Sequence, residues 1–525
     1  MSGTRPTYLD VSQVAGLEVP LEGERPESSG PPGYFDDASE ARRLRPNEPK
    51  RWWTMSRHRS RRRALLRGQA LIGSIGLLAA AQAQPSLIDP NLEAVTVVGG
   101  LVTPIGMAFM GPGDFFVIEK NTGQVKRVQN GAVTGIVLDL AVNAASERGL
   151  LGIALHPDFP LNPGVYLYWA ESSTGSDTLN AAEIALMGQR IDRFAWNGST
   201  LVFDRNIVLI RGLQADAGQP VRGNHDGGVV RFGPDRKLYA IIGDLGRRGF
   251  TQNLILGGPR PDDQFGGPWP DPAHRSGVVL RLNDDGSIPA DNPFNRGGPM
   301  NNSWDAIWAY GVRNSFGMAF DPVSGLMWTQ ENGDDAFDEI NLVTAGFNGG
   351  WIQVMGPLKR IHEFRSIELN EFGGSLQQIR WPPSNIPTTP QMAMQRLMKL
   401  PGSHYEDPKL SWKYAVPPAG IGFVDTQSLG PEYAGNMLVG AARLNLLNGW
   451  LMRLKLSPNR MDLVFDDPAL ADRVADNADK HDPTESESLI IGSNFGVVPS
   501  IETSPDGRVH LVSVDQGIVY ELRRR

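Results

Sequence analysis

The chain has 525 residues with 50 basic and 58 acidic side chains, a formal charge of −8 and a pI near 5.6, which argues against nucleic acid or an anionic membrane as an electrostatic partner. It contains no cysteine, which removes thiol catalysis, cysteine-ligated zinc, iron–sulfur clusters, covalent c-type haem and disulfides together. Any redox chemistry therefore requires a bound cofactor.

Residues 1–54 are rich in Pro, Glu, Arg and Gly and carry almost no apolar periodicity, which predicts a disordered segment or an over-extended start. Residues 55–83 have the layout of an export signal: the Arg-rich Met55–Arg63, the apolar run Ala70–Ala80 and small residues at Ala81-Gln-Ala83. The stretch Ser60-Arg-Arg-Arg-Ala-Leu-Leu66 is partly similar to a twin-arginine signal, with Ala64 in place of the usual aromatic. The apolar run falls short of the ~20 residues a membrane span needs, so a periplasmic or secreted protein without a span is expected after cleavage at Ala83.

From residue 84 to 525 one pattern recurs: a Gly/Pro/Asp turn, a short β-rich strand, a loop, then a second strand that often ends in Arg. Gly113–Glu119 leads to Gln124–Val128, Gly233–Asp244 to Gly277–Leu282, Asp321–Thr329 to Glu339–Val343, Tyr433–Gly440 to Gly449–Leu454, and Ser504–Val512 to Gly517–Glu521. Strands separated by turn signals at a spacing of roughly 70 residues predict an all-β fold, a six-bladed β-propeller with four-stranded blades in a single domain. A β-sandwich is the alternative, but it rarely extends to this length as one unit. The segment Gly356–Tyr414, with helical pieces around Pro390–Lys399, is expected to form a partly helical cap. Tyr405, Trp412, Tyr414 and the loop Pro417–Gly420 are expected at the substrate mouth.

His225 lies in the glycine-rich run Arg222-Gly-Asn-His-Asp-Gly-Gly228, and Asp244 closes the strand Lys237–Asp244. A histidine on such a turn stands clear of its backbone, and a neighbouring carboxylate fixes its tautomer and stabilises its cation. That combination makes a general base.

Five segments carry a resemblance to a known family: Glu147–Phe159, the His225 turn, Gly277–Pro293, Ile307–Phe320 and Asp338–Leu342. From Leu101 to Glu521 the chain resembles the soluble glucose and aldose sugar dehydrogenases, six-bladed propellers that use pyrroloquinoline quinone (PQQ) and calcium. The resemblance implies that His225 removes a sugar hydroxyl proton while the adjacent carbon passes hydride to the quinone, yielding a lactone. Asp244 would hold the imidazole and Arg313 would stabilise the oxyanion of the reduced quinone. On the cofactor side it implies contacts from Asn314 and from Arg443, which stands where the family has a lysine. Glu147 and Asn224, also expected at the cofactor, occupy positions where the family has a glutamine and an acidic residue, which changes the contacts to the substrate hydroxyl. For Ca²⁺ it implies Gly333, followed by Asp334 in place of a proline, within a cluster that includes Glu331, Asp335, Asp338 and Glu339. Val312 replaces a common histidine, and Val497 and Pro499 replace two arginines that grip PQQ carboxylates; Arg247, Arg443 or Lys413 could compensate. Electrons would pass to an external acceptor, a quinone or a cytochrome. A calcium-dependent propeller lactonase and a non-catalytic glycan- or protein-binding propeller are the competing readings.

Overall fold

The computed structural model describes residues 84–183, 189–210, 223–245, 276–296, 304–372, 383–443 and 446–525. The expectations for residues 1–54 and 55–83, and for Arg247, lie outside the described residues.

Strand Leu238–Ile242 is apolar at every position because both of its faces are buried. Leu238, Ala240 and Ile242 enter a cluster shared with the preceding sheet, and Tyr239 and Ile241 enter one shared with the following sheet. Strand Asp114–Glu119 divides in the same way, with Phe116 and Ile118 on one side and Phe115 and Val117 on the other. Sheets built from such strands must be covered on both faces, and stacking them face to face in a circuit does this without leaving an end exposed.

The described strands form six sheets that are largely antiparallel. The first, Pro104–Gly111 to Ala132–Asp139, and the second, Leu150–Leu155 to Leu201–Ile210, are four-stranded meanders. The third contains Val230–Phe232, Leu238–Ile242, Val278–Leu282 and Ile307–Tyr310, and the fourth contains Met318–Phe320, Met327–Glu331, Ala336–Val343 and Leu410–Tyr414. The fifth is built on Pro418–Phe423, Met437–Ala441, Trp450–Leu456 and Ile490–Ser493. In the sixth, Ser500–Thr503, Val509–Ser513 and Ile518–Arg524 are completed by Leu92–Val98 from the other end of the described chain, with Leu92 opposite Arg524. A hydrophobic cluster joins each sheet to the next, and one joins the sixth to the first. The result is an all-β, propeller-like fold.

The uniform four-stranded repeat expected from the sequence needs correction. The third, fourth and fifth sheets are extended to five or six strands by short pairings at Phe347–Asn348, His404–Tyr405, Val474–Ala475, Ser86–Leu87 and Leu463–Val464. Several of these are parallel pairings between segments far apart in sequence, so no local turn signal announces them.

The insertion after the fourth sheet's third strand carries two helices, Ile361–Asn370 and Pro390–Arg396. The second starts where Thr389 accepts a hydrogen bond from the Met392 amide and Pro390 supplies the first helical position. The first buries Ile361, Phe364, Ile367 and Glu368 on one face against Trp351, Ile352 and Met355.

Candidate active site

The first strands of the sheets enter the fold at one end, and the chain leaves the antiparallel second strands at that same end. Glu147 precedes Leu150–Leu155, His225 precedes Val230–Phe232, Arg313 and Asn314 precede Met318–Phe320, and Val497 precedes Ser500–Thr503. Asp244 follows Leu238–Ile242, and Asn332, Gly333 and Asp334 follow Met327–Glu331. Residues scattered over 350 positions of sequence are thereby brought to one cavity of about 350 Å³. Its polar lining comes from Glu147, His225, Arg313, Asn314, Asn332, Asp334 and Asp338, and its apolar lining from Phe316, Ala415, Pro417, Pro418, Ala419, Ala442 and Val497.

The His225 turn is held by close backbone packing. A Cβ at Gly243 would lie 2.1 Å from the His225 carbonyl oxygen and 3.0 Å from that of Arg313, so only glycine lets the strand end pass between these two segments. Immediately beyond it, the Asp244 amide donates to the Arg313 carbonyl at 2.8 Å and the Leu245 amide to the His225 carbonyl at 3.1 Å. His225 itself has φ of 61°, a left-handed conformation that is uncommon for a side chain with a Cβ and is concentrated at functional sites.

His225 Nδ1 and Asp244 Oδ1 are 2.7 Å apart, and both side chains are buried. Trp351 Nε1 donates to Asp244 Oδ2 at 2.7 Å, so the carboxylate is fixed from both sides. Arg313 donates through Nη1 to the Asn332 carbonyl at 2.9 Å and through Nη2 to Asp334 at 2.6 Å, and its guanidinium lies 5.4 Å from the Trp351 ring centroid. Its Nε–H is buried and has no hydrogen-bond partner among the described residues, nor has Asn332 Oδ1. Glu147 Oε2 accepts from the His225 amide at 2.7 Å and from Asn314 Nδ2 at 3.0 Å, which ties the histidine turn to the Arg313–Asn314 segment.

The structure separates the expected metal residues. Asp338 is committed to the Gly333 amide at 2.8 Å and the Val416 amide at 2.6 Å, and Glu339 to the Gly356 amide at 2.6 Å and Asn341 at 2.9 Å. Burial pushes the Asp338 carboxyl up to about 7 despite the two amides, and burial also raises Glu339. Glu331 accepts the Arg313 amide and is raised by burial and by Glu339. Three carboxylates do converge: Asp334, Asp335 and Glu368. Glu368 was missed in the sequence because it comes from the inserted helix, with no motif spacing to the Gly333 loop. Burial and Asp334 raise its carboxyl well above the usual range.

Among the other expected residues, Asn224 is buried but lies outside the cavity lining, and Arg443 stacks on Trp450 with 4.8 Å between guanidinium and ring centroid. Trp412 is packed in the core between the fourth and fifth sheets, Tyr414 bonds to Glu371 at 3.1 Å, and Lys413 lies over the Tyr414 ring. Pro417 and Pro418 do line the cavity.

Asp226, next to His225, was also missed. Its side chain is buried, Gln189 donates to Oδ1, and Oδ2 has no partner among the described residues. Burial raises its carboxyl to about 8, with Arg148 and Lys120 pulling down and Glu147 and Asp244 pushing up. The folded state thus keeps this proton to higher pH than the unfolded chain. The stability it contributes is complete below about pH 4 and is lost as pH rises through about 8. Asp226→Asn is expected to flatten the fall in unfolding free energy between pH 5 and pH 8, by an amount on the order of a few kcal/mol. An unchanged slope in thermal denaturation would mean that Asp226 is charged in the folded protein.

Residues 101–357 match the family model described as glucose/sorbosone dehydrogenase. That stretch, just under half of the chain, is similar to the glucose/sorbosone dehydrogenase family. An uncharacterized protein of Synechocystis is 34% identical over 50% of this chain and 60% of its own length. Quinoprotein glucose dehydrogenase B of Acinetobacter calcoaceticus is 32% identical over 51% of this chain and 53% of its own. The match thus covers between about half and two thirds of these curated relatives. The apo-form crystal structure of the soluble aldose sugar dehydrogenase of Escherichia coli shares the fold, with a TM-score of 0.53 at 20% identity over 83% of this chain and 100% of that one. The family match contains Glu147, His225, Asp244, Arg313, Asn314 and the Gly333 loop, whereas Ala415–Ala419, Ala442 and Val497 lie beyond it.

Proposed function

We propose that this chain is a member of the glucose/sorbosone dehydrogenase family and a PQQ-dependent oxidoreductase that converts an aldose or related alcohol to the lactone, with His225 as general base. The observation that carries the reading is the meeting, in one cavity, of His225, backed by Asp244, with an Arg313 whose buried Nε–H has no acceptor among the described residues. An unpaired buried donor is costly, and an anionic ligand oxygen would satisfy it. The cavity falls in the size range of cofactor sites. Its apolar lining of prolines, alanines, Phe316 and Val497 suits the faces of a flat ring, and Arg313, Asn314 and Asn332 suit its polar edge. The acidic loop beginning at Gly333 offers oxygens of the kind a calcium ion takes. These residues fit the cofactor's ring and polar edge, while Val497 and Pro499 offer its carboxylates no charge.

When bound, PQQ supplies a two-electron acceptor. The chain's own groups do the rest. An ionised Asp244 can only accept, so it keeps the proton on His225 Nδ1 and leaves Nε2 as the nitrogen that takes a hydroxyl proton. Trp351 and Glu147 keep that geometry by holding Asp244 and the His225 backbone. Arg313 is placed for negative charge that develops on the acceptor side, and its bond to Asp334 and stacking on Trp351 fix its plane.

We count each of the six sheets as one blade. We also read residues 55–83 as a signal that sends the protein to the periplasm or outside the cell, where an external quinone or cytochrome would take the electrons. Among the described residues no helix is long and apolar enough to cross a membrane.

Calorimetric titration of PQQ with Ca²⁺ into apo-protein tests the reading. Saturable binding that is weakened by Arg313→Gln is expected, and absence of binding would overturn it. The same titration with Arg443→Ala decides whether that residue belongs to the site, since equal affinity removes it.

A further inference from the structure

The first strands of the sheets run from the active-site end to the opposite end of the fold, and most finish there on a large apolar residue. Leu155, Phe232, Phe320 and Phe423 are the last residues of their strands, and Phe109 is close to the end of its own. They surround a second cavity of about 460 Å³ and an adjoining space of about 190 Å³. Phe109 and Leu155 line the first, Phe320 and Phe423 the second, and Phe232 both. None of their lining residues belongs to the cavity that contains His225. Two of the rings are fixed by edge contacts behind them, Phe232 against Tyr166 with 5.0 Å between centroids and Phe320 against Tyr239 with 5.1 Å.

Three charged side chains line this space: Arg231, Asp425 and Glu502. Arg231 donates to Glu502 through Nη1 at 2.9 Å and Nη2 at 2.5 Å, and through Nε to the Met318 carbonyl at 2.5 Å. Ser500 Oγ donates to the same carboxylate at 3.0 Å. That pair is neutral and fully engaged, whereas Asp425 makes no hydrogen bond or ion pair among the described residues. Partial burial raises the Asp425 carboxyl to about 6, with Glu502 pushing it further up and Arg231 pulling it down, so it is ionised at neutral pH. Asp321, the other acid that acts on it, is held by Arg460 at 2.8 Å and 2.5 Å. The space therefore carries one unmatched negative charge among phenyl rings. An anion finds no free donor on Arg231, and one open carboxylate falls far short of the oxygens a calcium ion takes.

We propose that this cavity binds a small organic ammonium ion, with its charge at Asp425 and its methyl or methylene groups against Phe232 and Phe320. An alkylated ammonium is weakly hydrated, so it gains from the attraction of aromatic rings and from a carboxylate without a large cost of leaving water. The site is separate from the redox cavity. Between the two lies a space of about 40 Å³ lined by Phe316 on one side and by Arg231 and Glu502 on the other, room for a few water molecules only. The Arg231–Glu502 pair thus closes the inner side of the ammonium site, and a ligand there does not reach His225.

The test is a calorimetric titration of the full chain with choline chloride, well above the Asp425 range, against sodium chloride at matched ionic strength. A second arm uses the uncharged analogue in which carbon replaces the choline nitrogen. Wild type is expected to bind choline saturably and the analogue at least about tenfold more weakly. Asp425→Asn has no hydrogen bond to lose and is expected to weaken choline binding about tenfold. Phe320→Leu keeps an apolar wall without the ring and should weaken it about threefold. Titration with PQQ should be the same in both variants as in wild type. If Asp425→Asn folds poorly by circular dichroism, Phe320→Leu and the uncharged analogue decide. No choline binding by wild type, equal binding of the analogue, or an affinity indifferent to these substitutions overturns the site. Choline binding that PQQ abolishes would place the ion in the His225 cavity and overturn it as well.

Discussion

Replacing His225 with Gln is expected to lower kcat of the PQQ-loaded protein by about 10²–10⁴-fold, the usual worth of a positioned general base. This corresponds to about 3–5 kcal/mol of transition-state stabilisation. An alcohol carbon releases hydride readily only as its hydroxyl proton departs, and an amide cannot accept that proton. The His225 amide bond to the Glu147 carboxylate and the carbonyl bond to the Leu245 amide use only the backbone of His225, so the turn should survive the change. Circular dichroism should therefore match wild type and PQQ affinity should change little. Retained turnover would remove His225 from the chemistry.

Asp244→Asn should approach the same loss, about 10²–10⁴-fold in kcat, through a different cause. A carboxylate only accepts, which keeps the histidine proton on Nδ1, whereas an amide can present its NH₂ to that nitrogen and move the proton to Nε2. The ring would then meet the substrate with a proton already in place. The amide oxygen can still accept from Trp351 Nε1, so the substitution tests charge and tautomer more than packing. A larger effect on kcat than on KM is expected, because the pair acts as proton transfer proceeds. A variant with raised KM and normal kcat would make Asp244 a determinant of substrate binding alone.

The strand pattern was legible because it reports a local fact, namely which side chains are buried and on which face. Leu238-Tyr-Ala-Ile-Ile242 reads as a doubly buried strand, and its alternate residues do fill two different clusters. The extra strands were not legible, since two-residue pairings such as Phe347–Asn348 with His404–Tyr405 depend on where distant segments come to rest. A signal for the helix Ile361–Asn370 was present in the spacing of Ile361, Phe364 and Ile367.

At the site, residue type and turn context singled out His225 and Asp244 and the family resemblance added Arg313, and the fold brings His225 and Arg313 to one cavity with Asp244 directly behind the imidazole. It assigned Asp338 and Glu339 to a metal because a run of acids looks like a ligand set. Letters cannot reveal that the amides of Gly333, Val416 and Gly356 already claim those oxygens. Glu368 and Lys480 escaped notice for the converse reason, since each reaches Asp335 from more than thirty residues away. Glu147 read as a changed substrate contact, yet its carboxylate ties the His225 backbone to Asn314.

The most direct test is a single-turnover experiment on protein loaded with PQQ and Ca²⁺, following the quinone absorbance after addition of an aldose under anaerobic conditions. The absorbance should bleach in wild type within the catalytic turnover time and should persist in His225→Gln loaded to the same occupancy. Equal bleaching in the two proteins, or no bleaching in wild type with any of a panel of aldoses and alcohols, would contradict a cavity in which His225 draws off the substrate proton.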